Sequence, residues 1–410
     1  MNPKMAKIYI GVDTHKTTHT AVAINCFNEK LGEITFENRP SAFAEFLNTV
    51  NSYAEEGVNP VFGLEDATTY GRTLARFLLD KKLTVKQICP ILTSAERKKR
   101  PIPNKTDSAD ARYIAKILYD EYETLPDAYT GDIFWALKTM VNRRSAMVKV
   151  NTAQKNQLHD LLMHHYPSYK KFFNVFDCQT ALEFWERYPS PSTLAGVTEQ
   201  ELAELLHQFS SGFLSRDRAA RILDLVSKDG DTTTTYQEIR DEMVVACVKE
   251  IKRNNQEIKK LEIGIEKLVN ATGYKLHTMI GVSIVTAAEF IAEIGDIGHF
   301  PTAAKLAMYC GIAPVCNSSG AKDQQKKNSR GNRKLYQLFR DLAARNINQG
   351  RNGDRPVNGI MRDFYEKKLS QGKNNYQAIL CVMRRLVNIV HGLLKNRTTY
   401  VHPSIPKQAS

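Results

Sequence analysis

Apolar periodicity across the first 125 residues constrains this 410-residue chain more tightly than any other feature. Ile8, Ile10 and Val12 alternate with small or polar residues, the period-two signature of a strand that is expected to end at Asp13. A second strand is expected over 19–24, a turn over 28–32 and a third strand over 33–37. Phe43, Phe46, Leu47 and Val50 then share one face of a helix, and residues 61–64 read as a short buried strand ending at Glu65. Leu74, Phe77 and Leu78 mark a second amphipathic helix, and residues 85–88 a fifth strand before Pro90. After a basic loop, a helix starts near Asp107 and carries Ala111, Ile114, Ala115 and Leu118.

A three-strand meander followed by alternating helices and strands is the order of an α/β RNase H-like (RuvC-like) fold. It assigns residues 1–127 to one N-terminal domain. From about 132 the pattern turns helical, with Phe134, Leu137 and Val141 opening a long helix that runs toward Leu162. Over 243–270 a heptad seam places Val244, Ile251, Ile258 and Ile265 at one position and Cys247, Asn254, Leu261 and Leu268 at the other. Residues 128–270 are therefore read as a helical and coiled-coil region, either a hairpin within the chain or a contact between chains. Residues 271–400 read as a mainly α-helical third unit, with helices over 284–294 and 303–309 and a loop around Ser318-Ser319-Gly320, and 401–410 as a tail.

Four acids fall at informative places in this scheme. Asp13 and Glu65 stand at the ends of the first and fourth strands, expected neighbours at the sheet centre. Asp107 and Asp110 lie three apart, on one face of a helix that can pack beside those strand ends. Carboxylates converging from separate elements suit hard divalent ions, and two such ions can stabilise both oxygens of a phosphoryl transfer. Mg²⁺ is the expected cofactor, two ions per site, with Mn²⁺ as the other candidate. Each acid alone has a plainer role: Asp107 and Asp110 can serve the helix N-terminus, and Asp66 rivals Glu65.

The charge is localised. Residues 321–400 hold 18 Lys/Arg against 5 Asp/Glu, and the rest of the chain balances 39 against 39, so one segment carries the whole net charge of +13. That is the footprint of a polyanionic partner, although a solvated basic face reads the same way. Arg97, Lys98, Lys99, Arg100 and Lys105 precede Asp107 in what reads as a loop; Arg143, Arg144 and Lys149 lie on the first long helix; Lys326, Lys327, Arg330 and Arg333 follow the serine loop. These are candidate phosphate contacts, which position a nucleic acid without reading its bases. The seven cysteines form no CxxC pair, which points to a reduced compartment and away from structural zinc. No apolar run of membrane-spanning length is read and the N-terminus enters a strand directly, so neither a membrane segment nor a signal peptide is expected, and the location is taken as cytoplasmic.

The segments YIGVDTHK, GLEDATTY and NKTDSADARYIA resemble the three motifs of the DEDD-type insertion-sequence transposases, a family that includes Piv/MooV-like DNA invertases and bridge-RNA-guided serine recombinases. Asp13, Glu65, Asp107 and Asp110 fall on the four acids of that family. The resemblance continues through LKTMVNRRSAMVKVNTAQKNQLHDLL and resumes at MIGVSIVTAAEFIAEIGDIGHFPTAAKLAMYCGIAPVCNSSG and MRDFYEKKLSQGKNNYQAILCVMRRLVNIVHGLL, leaving 170–240 as the main unmatched part. It implies that Ser319, immediately before Gly320, is a nucleophile, with Ser318 its rival. It also implies DNA as substrate, a guide RNA, and a dimer or tetramer in which acids and serine come from different protomers. Thr68 and the turn Ile280-Gly281-Val282-Ser283 depart from the family pattern. The expected activity is cutting and rejoining DNA by a transposase or site-specific recombinase. The alternatives are a metal-dependent junction-resolving endonuclease and a non-catalytic nucleic-acid-binding protein.

Overall fold

In the computed structural model, strands β1 (Lys7–Thr14), β2 (Thr18–Ile24) and β3 (Lys30–Glu37) form an antiparallel meander. β4 (Asn59–Leu64) and β5 (Thr84–Gln87) extend the other side of β1 in parallel, giving the order β3-β2-β1-β4-β5. Residues 4–99, 106–128, 131–210, 216–319, 322–326, 331–348 and 357–403 are described, with backbone alone for 315–319 and 322–326. This mixed sheet, followed by a mostly helical region, is compatible with the RNase H-like arrangement.

Helices cover both faces of the sheet. Ile8, Ile10, Val12, Phe62 and Leu64 point to one side, where they pack with Phe43, Phe46 and Val50 of α1 (Pro40–Ser52) and Leu74 and Leu78 of α2 (Arg72–Asp80). Tyr9 and Val61 point to the other, against Ala111, Ile114, Ala115 and Leu118 of α4 (Asp107–Glu121). Between them α3 (Pro90–Lys98) occupies what reads as a basic loop in the sequence. Pro90 at its first turn has the right φ for a helix start, and Thr93 and Glu96 give it a buried edge too short to stand out as periodicity.

The close approach of α4 depends on Gly11. A β-carbon there would sit 2.2 Å from the carbonyl oxygen of Ala111 and 2.2 Å from the amide nitrogen of Ala115, so only a glycine lets the helix backbone rest on β1. The stripe that meets the sheet runs Asp110, Ile114, Leu118 at four-residue spacing, and its first member is a carboxylate.

By contacts the chain divides into two compact units, 1–135 with 294–331, and 136–293 with 332–410, a division that cuts across the linear segments 128–270 and 271–400. The first unit also contains α12 (Ala303–Tyr309) and an antiparallel hairpin of β6 (Val315–Ser319) and β7 (Lys322–Lys326), where a loop was expected.

In the second unit α5 (Asp132–His165), from residue 136 on, runs antiparallel to α10 (Gln237–Thr272). Arg144 binds Glu262, Asn151 donates to Asn255 at 2.8 Å and Gln154 pairs with Glu250, so partners move back along one helix as they advance along the other. The heptad positions thus face a helix of the same chain: Val244, Cys247, Ile251 and Asn254 are buried. The described part of residues 170–240, unmatched in the sequence, is helical. α6 (Gln179–Arg187), α7 (Pro191–Leu194), α8 (Glu199–Phe209) and α9 (Arg216–Asp229) build a core with Leu158 and Leu162 of α5, centred on Phe172, Phe184 and Trp185. The remaining helices are α11 (Ile284–Ile294), α13 (Arg333–Ile347), α14 (Gly359–Ser370) and α15 (Asn375–Asn396). By length and composition α15 is long and apolar enough to cross a membrane, contrary to the sequence expectation. Its apolar residues Val382, Leu386, Val387 and Val390 are nevertheless buried, and it packs on α13 and α14 as a core helix does.

Candidate metal centre

Register brings the first two acids together. Val12 of β1 lies opposite Leu64 of β4, so Asp13 and Glu65 are the next residues at the same end of two adjacent parallel strands. Asp13 is still within β1, paired with Thr20 of β2, and is 5% exposed; Glu65 follows β4 and is half-buried. Its rival Asp66 has other work. Its carboxylate accepts the backbone N–H groups of Thr68 (2.9 Å), Thr69 (2.8 Å) and Tyr70 (2.9 Å), which fold the turn after β4. Burial raises the Asp66 pKa, but these donors outweigh it and hold the carboxyl below its usual range.

α4 delivers the other two. Thr106 caps it, its hydroxyl accepting from the amide of Ala109 at 3.1 Å, which sets Asp107 at the first helical position and Asp110 one turn on. Asp107 is exposed and Asp110 is 7% exposed. The two do not share a partner. Asp110 receives Arg97 of α3, whose Nε (3.0 Å) and Nη2 (2.6 Å) donate to Oδ1 while Nη2 also reaches Oδ2 (2.6 Å). Asp107 meets His15, whose Nε2 lies 3.3 Å from Asp107 Oδ1 and 3.3 Å from Asp13 Oδ2.

His15 is the residue that sequence reading missed, although it stands inside the quoted motif YIGVDTHK. It sits in the turn between β1 and β2, where its amide donates to Thr18 O at 3.1 Å. Asn38 fixes this turn to the one after β4, its Nδ2 donating to the carbonyls of His15 (3.3 Å), Lys16 (3.3 Å) and Tyr70 (3.0 Å). One asparagine therefore ties the loop of His15 to the loop that follows Glu65.

Asp13 carries the electrostatic strain of the cluster. Burial pushes its carboxyl up; His15 pulls it back, while Glu65, Asp110 and Asp107 push it further, to about 6. Ligand atoms of Asp13, His15 and Asp107 lie within 4.8 Å of one another, and a set of two carboxylates and an imidazole suits a divalent cation.

Residues 10–167 match the DEDD-type IS110 transposase family, and residues 273–355 match the transposase family of IS116, IS110 and IS902. The chain belongs to the DEDD-type insertion-sequence transposases. Similar proteins include the insertion element IS110 43.6 kDa protein of Streptomyces coelicolor, 26% identical over 80% of this chain and 81% of the relative. The insertion element IS116 44.8 kDa protein of Streptomyces clavuligerus is 23% identical over 83% of this chain and 84% of its own. The IS900 42 kDa protein of Mycobacterium paratuberculosis is 23% identical over 98% and 99%. The transposase is thus an enzyme of DNA recombination, and its family implies use of a divalent metal.

The remaining candidate residues of the transposase are scattered in role. Arg97 and Lys98 are in the last turn of α3 and not in a loop, and Lys99 pairs with Glu96 at 2.5 Å. Arg144 is engaged by Glu262, whereas Arg143 and Lys149 are exposed on α5 and Arg333 is exposed at the start of α13. Ser319 ends β6, paired with Lys322; Lys326 ends β7. Arg100, Lys105, Gly320, Lys327 and Arg330 lie outside the described residues.

Proposed function

We propose that this transposase cuts and rejoins DNA by attack of the Ser319 hydroxyl on a phosphate, with Asp13, Glu65, Asp107 and Asp110 holding Mg²⁺, two ions per site. The convergence of Asp13 and Asp107, with Glu65 and Asp110 close enough to raise the Asp13 pKa, is the observation that carries the metal reading, and the role of Ser319 rests on the family resemblance. When bound, the ions supply charge stabilisation at the attacking and leaving oxygens. The serine oxygen forms a phosphodiester with the DNA as the P–O bond to one deoxyribose breaks and that strand end leaves as a hydroxyl. A strand hydroxyl then displaces the serine oxygen, so rejoining needs no external energy source. The basic segment 321–400 and the exposed Arg143, Lys149 and Arg333 support backbone contacts to DNA and to a guide RNA, which would supply sequence choice by base pairing. Dimers or tetramers, with acids and serine from different protomers, complete the reading.

The deciding experiment incubates the protein with Mg²⁺, labelled DNA ends and candidate guide RNA, and resolves the products on a denaturing gel. A protein–DNA adduct that Ser319→Ala abolishes supports serine attack. Cleavage that survives Ser319→Ala but not Asp107→Ala assigns the acids to a junction-resolving nuclease. Binding without cleavage across metals and substrates leaves only the nucleic-acid-binding reading.

A further inference from the structure

His15 stands where a ligand would. Its Nε2 is equidistant, at 3.3 Å, from one oxygen of Asp13 and one of Asp107. Adjacent ligand atoms on an octahedral ion with bonds of about 2.1 Å lie about 3.0 Å apart, and opposite ones about 4.2 Å. The contacts of His15 therefore need to shorten by only about 0.3 Å for Nε2 to take a position beside both oxygens. The two carboxylate oxygens lie within 4.8 Å of each other, against at most about 4.2 Å on one ion.

The side chain is 48% exposed, so packing does not force it there. The backbone does. The turn bearing it is closed by the His15 amide on Thr18 and held by Asn38, which also grips the turn after Glu65. An imidazole nitrogen is a softer donor than a carboxylate oxygen and suits Mn²⁺ and later transition metals better than Mg²⁺.

We propose that His15 Nε2 is a nitrogen ligand of the divalent ion held by Asp13 and Asp107, and that it tilts this position toward Mn²⁺. This inference rests on the reading of those two acids as metal ligands. It makes one position of the centre a mixed nitrogen–oxygen site, while Glu65 and Asp110 offer oxygen alone. The two ions would then differ in character, the His15 position being the one that discriminates between metals.

Pulsed electron paramagnetic resonance of the full-length protein loaded with Mn²⁺ alone tests it. The expected result is a directly bound ¹⁴N coupling that changes to the ¹⁵N pattern when histidine is isotopically labelled. The coupling should vanish in His15→Ala while Mn²⁺ remains bound. In His15→Asn, which substitutes an oxygen donor, the ratio of Mn²⁺ to Mg²⁺ affinity should fall roughly tenfold. Acid-dependent Mn²⁺ binding without nitrogen coupling overturns the proposal and leaves the carboxylate site standing, as does coupling that persists in His15→Ala. Failure of Mn²⁺ to bind, or binding unchanged in Asp107→Ala, removes the carboxylate site itself and this inference with it.

Discussion

Arg97 and Asp110 form a forked ion pair in which one guanidinium touches both oxygens of a nearly buried carboxylate. One of the four acids is therefore occupied by a cation of the chain itself. A guanidinium fork fits phosphate as well as carboxylate, so DNA entering the site offers Arg97 an alternative partner. Without DNA, Arg97→Ala should raise Mn²⁺ affinity about tenfold by removing the competitor, and with DNA it should weaken binding of the nucleic acid. Isothermal titration with and without DNA measures both. Metal affinity that is unchanged or lower in the variant refutes competition at Asp110.

Gly11 is expected to tolerate no side chain. Gly11→Ala places a methyl group 2.2 Å from two backbone atoms of α4, and neither can move alone without the helix. The cost should be about 3 kcal/mol in chemical denaturation. Because α4 carries Asp107 and Asp110, metal affinity should fall even in protein that remains folded. A variant with unchanged stability would show that α4 does not rest on β1 as closely as described.

Much of this architecture was legible in the sequence, for a physical reason. Ile8, Ile10 and Val12 mark one face of β1 and the stripe Ile114, Leu118 the buried face of α4. Periodicity therefore located the strands and the helix that carry Asp13, Glu65, Asp107 and Asp110, whereas which strands are neighbours came from the RNase H-like order. What periodicity misses are short elements and polar pairings. α3 buries only Thr93 and Glu96, both polar, and the β6–β7 hairpin is built from VCNSS and KDQQK, which carry no apolar alternation. The roles of Arg97 and Arg144 depend on partners 13 and 118 residues away, and charge counting alone read both as phosphate contacts. His15 sat two residues from a recognised acid, and only the fold shows that it also reaches Asp107.

Asn38 should behave as a positioning residue. Asn38→Ala removes donors to three carbonyls and frees the His15 turn from the turn after Glu65. Net stability should fall by about 1–2 kcal/mol, because these bonds are solvent-exposed. The informative readout is metal binding, expected to weaken several-fold while the secondary structure stays intact by circular dichroism. An unchanged affinity would mean that the two turns are positioned independently.

Asp13 links the site to stability through pH. Its carboxyl titrates at about 6 in the folded chain against 3.8 as a free group, so between those values the folded state holds a proton that the unfolded state has released. Stability contributed by this group is present at low pH, falls as pH rises through the window and stays lower above it. Asp13→Asn lacks this titration. Without metal the variant should match the parent near pH 4 and exceed it near pH 8 by up to about 3 kcal/mol, a ceiling that solvent reaching the site lowers. Saturating Mn²⁺ should reverse the order at about pH 8, because the ion binds the folded parent and neutralises the repulsion among the acids. Urea unfolding at both pH values, with chelator and with Mn²⁺, measures the crossing. A stability difference that does not vary with pH would show that Asp13 is not the strained acid of the cluster.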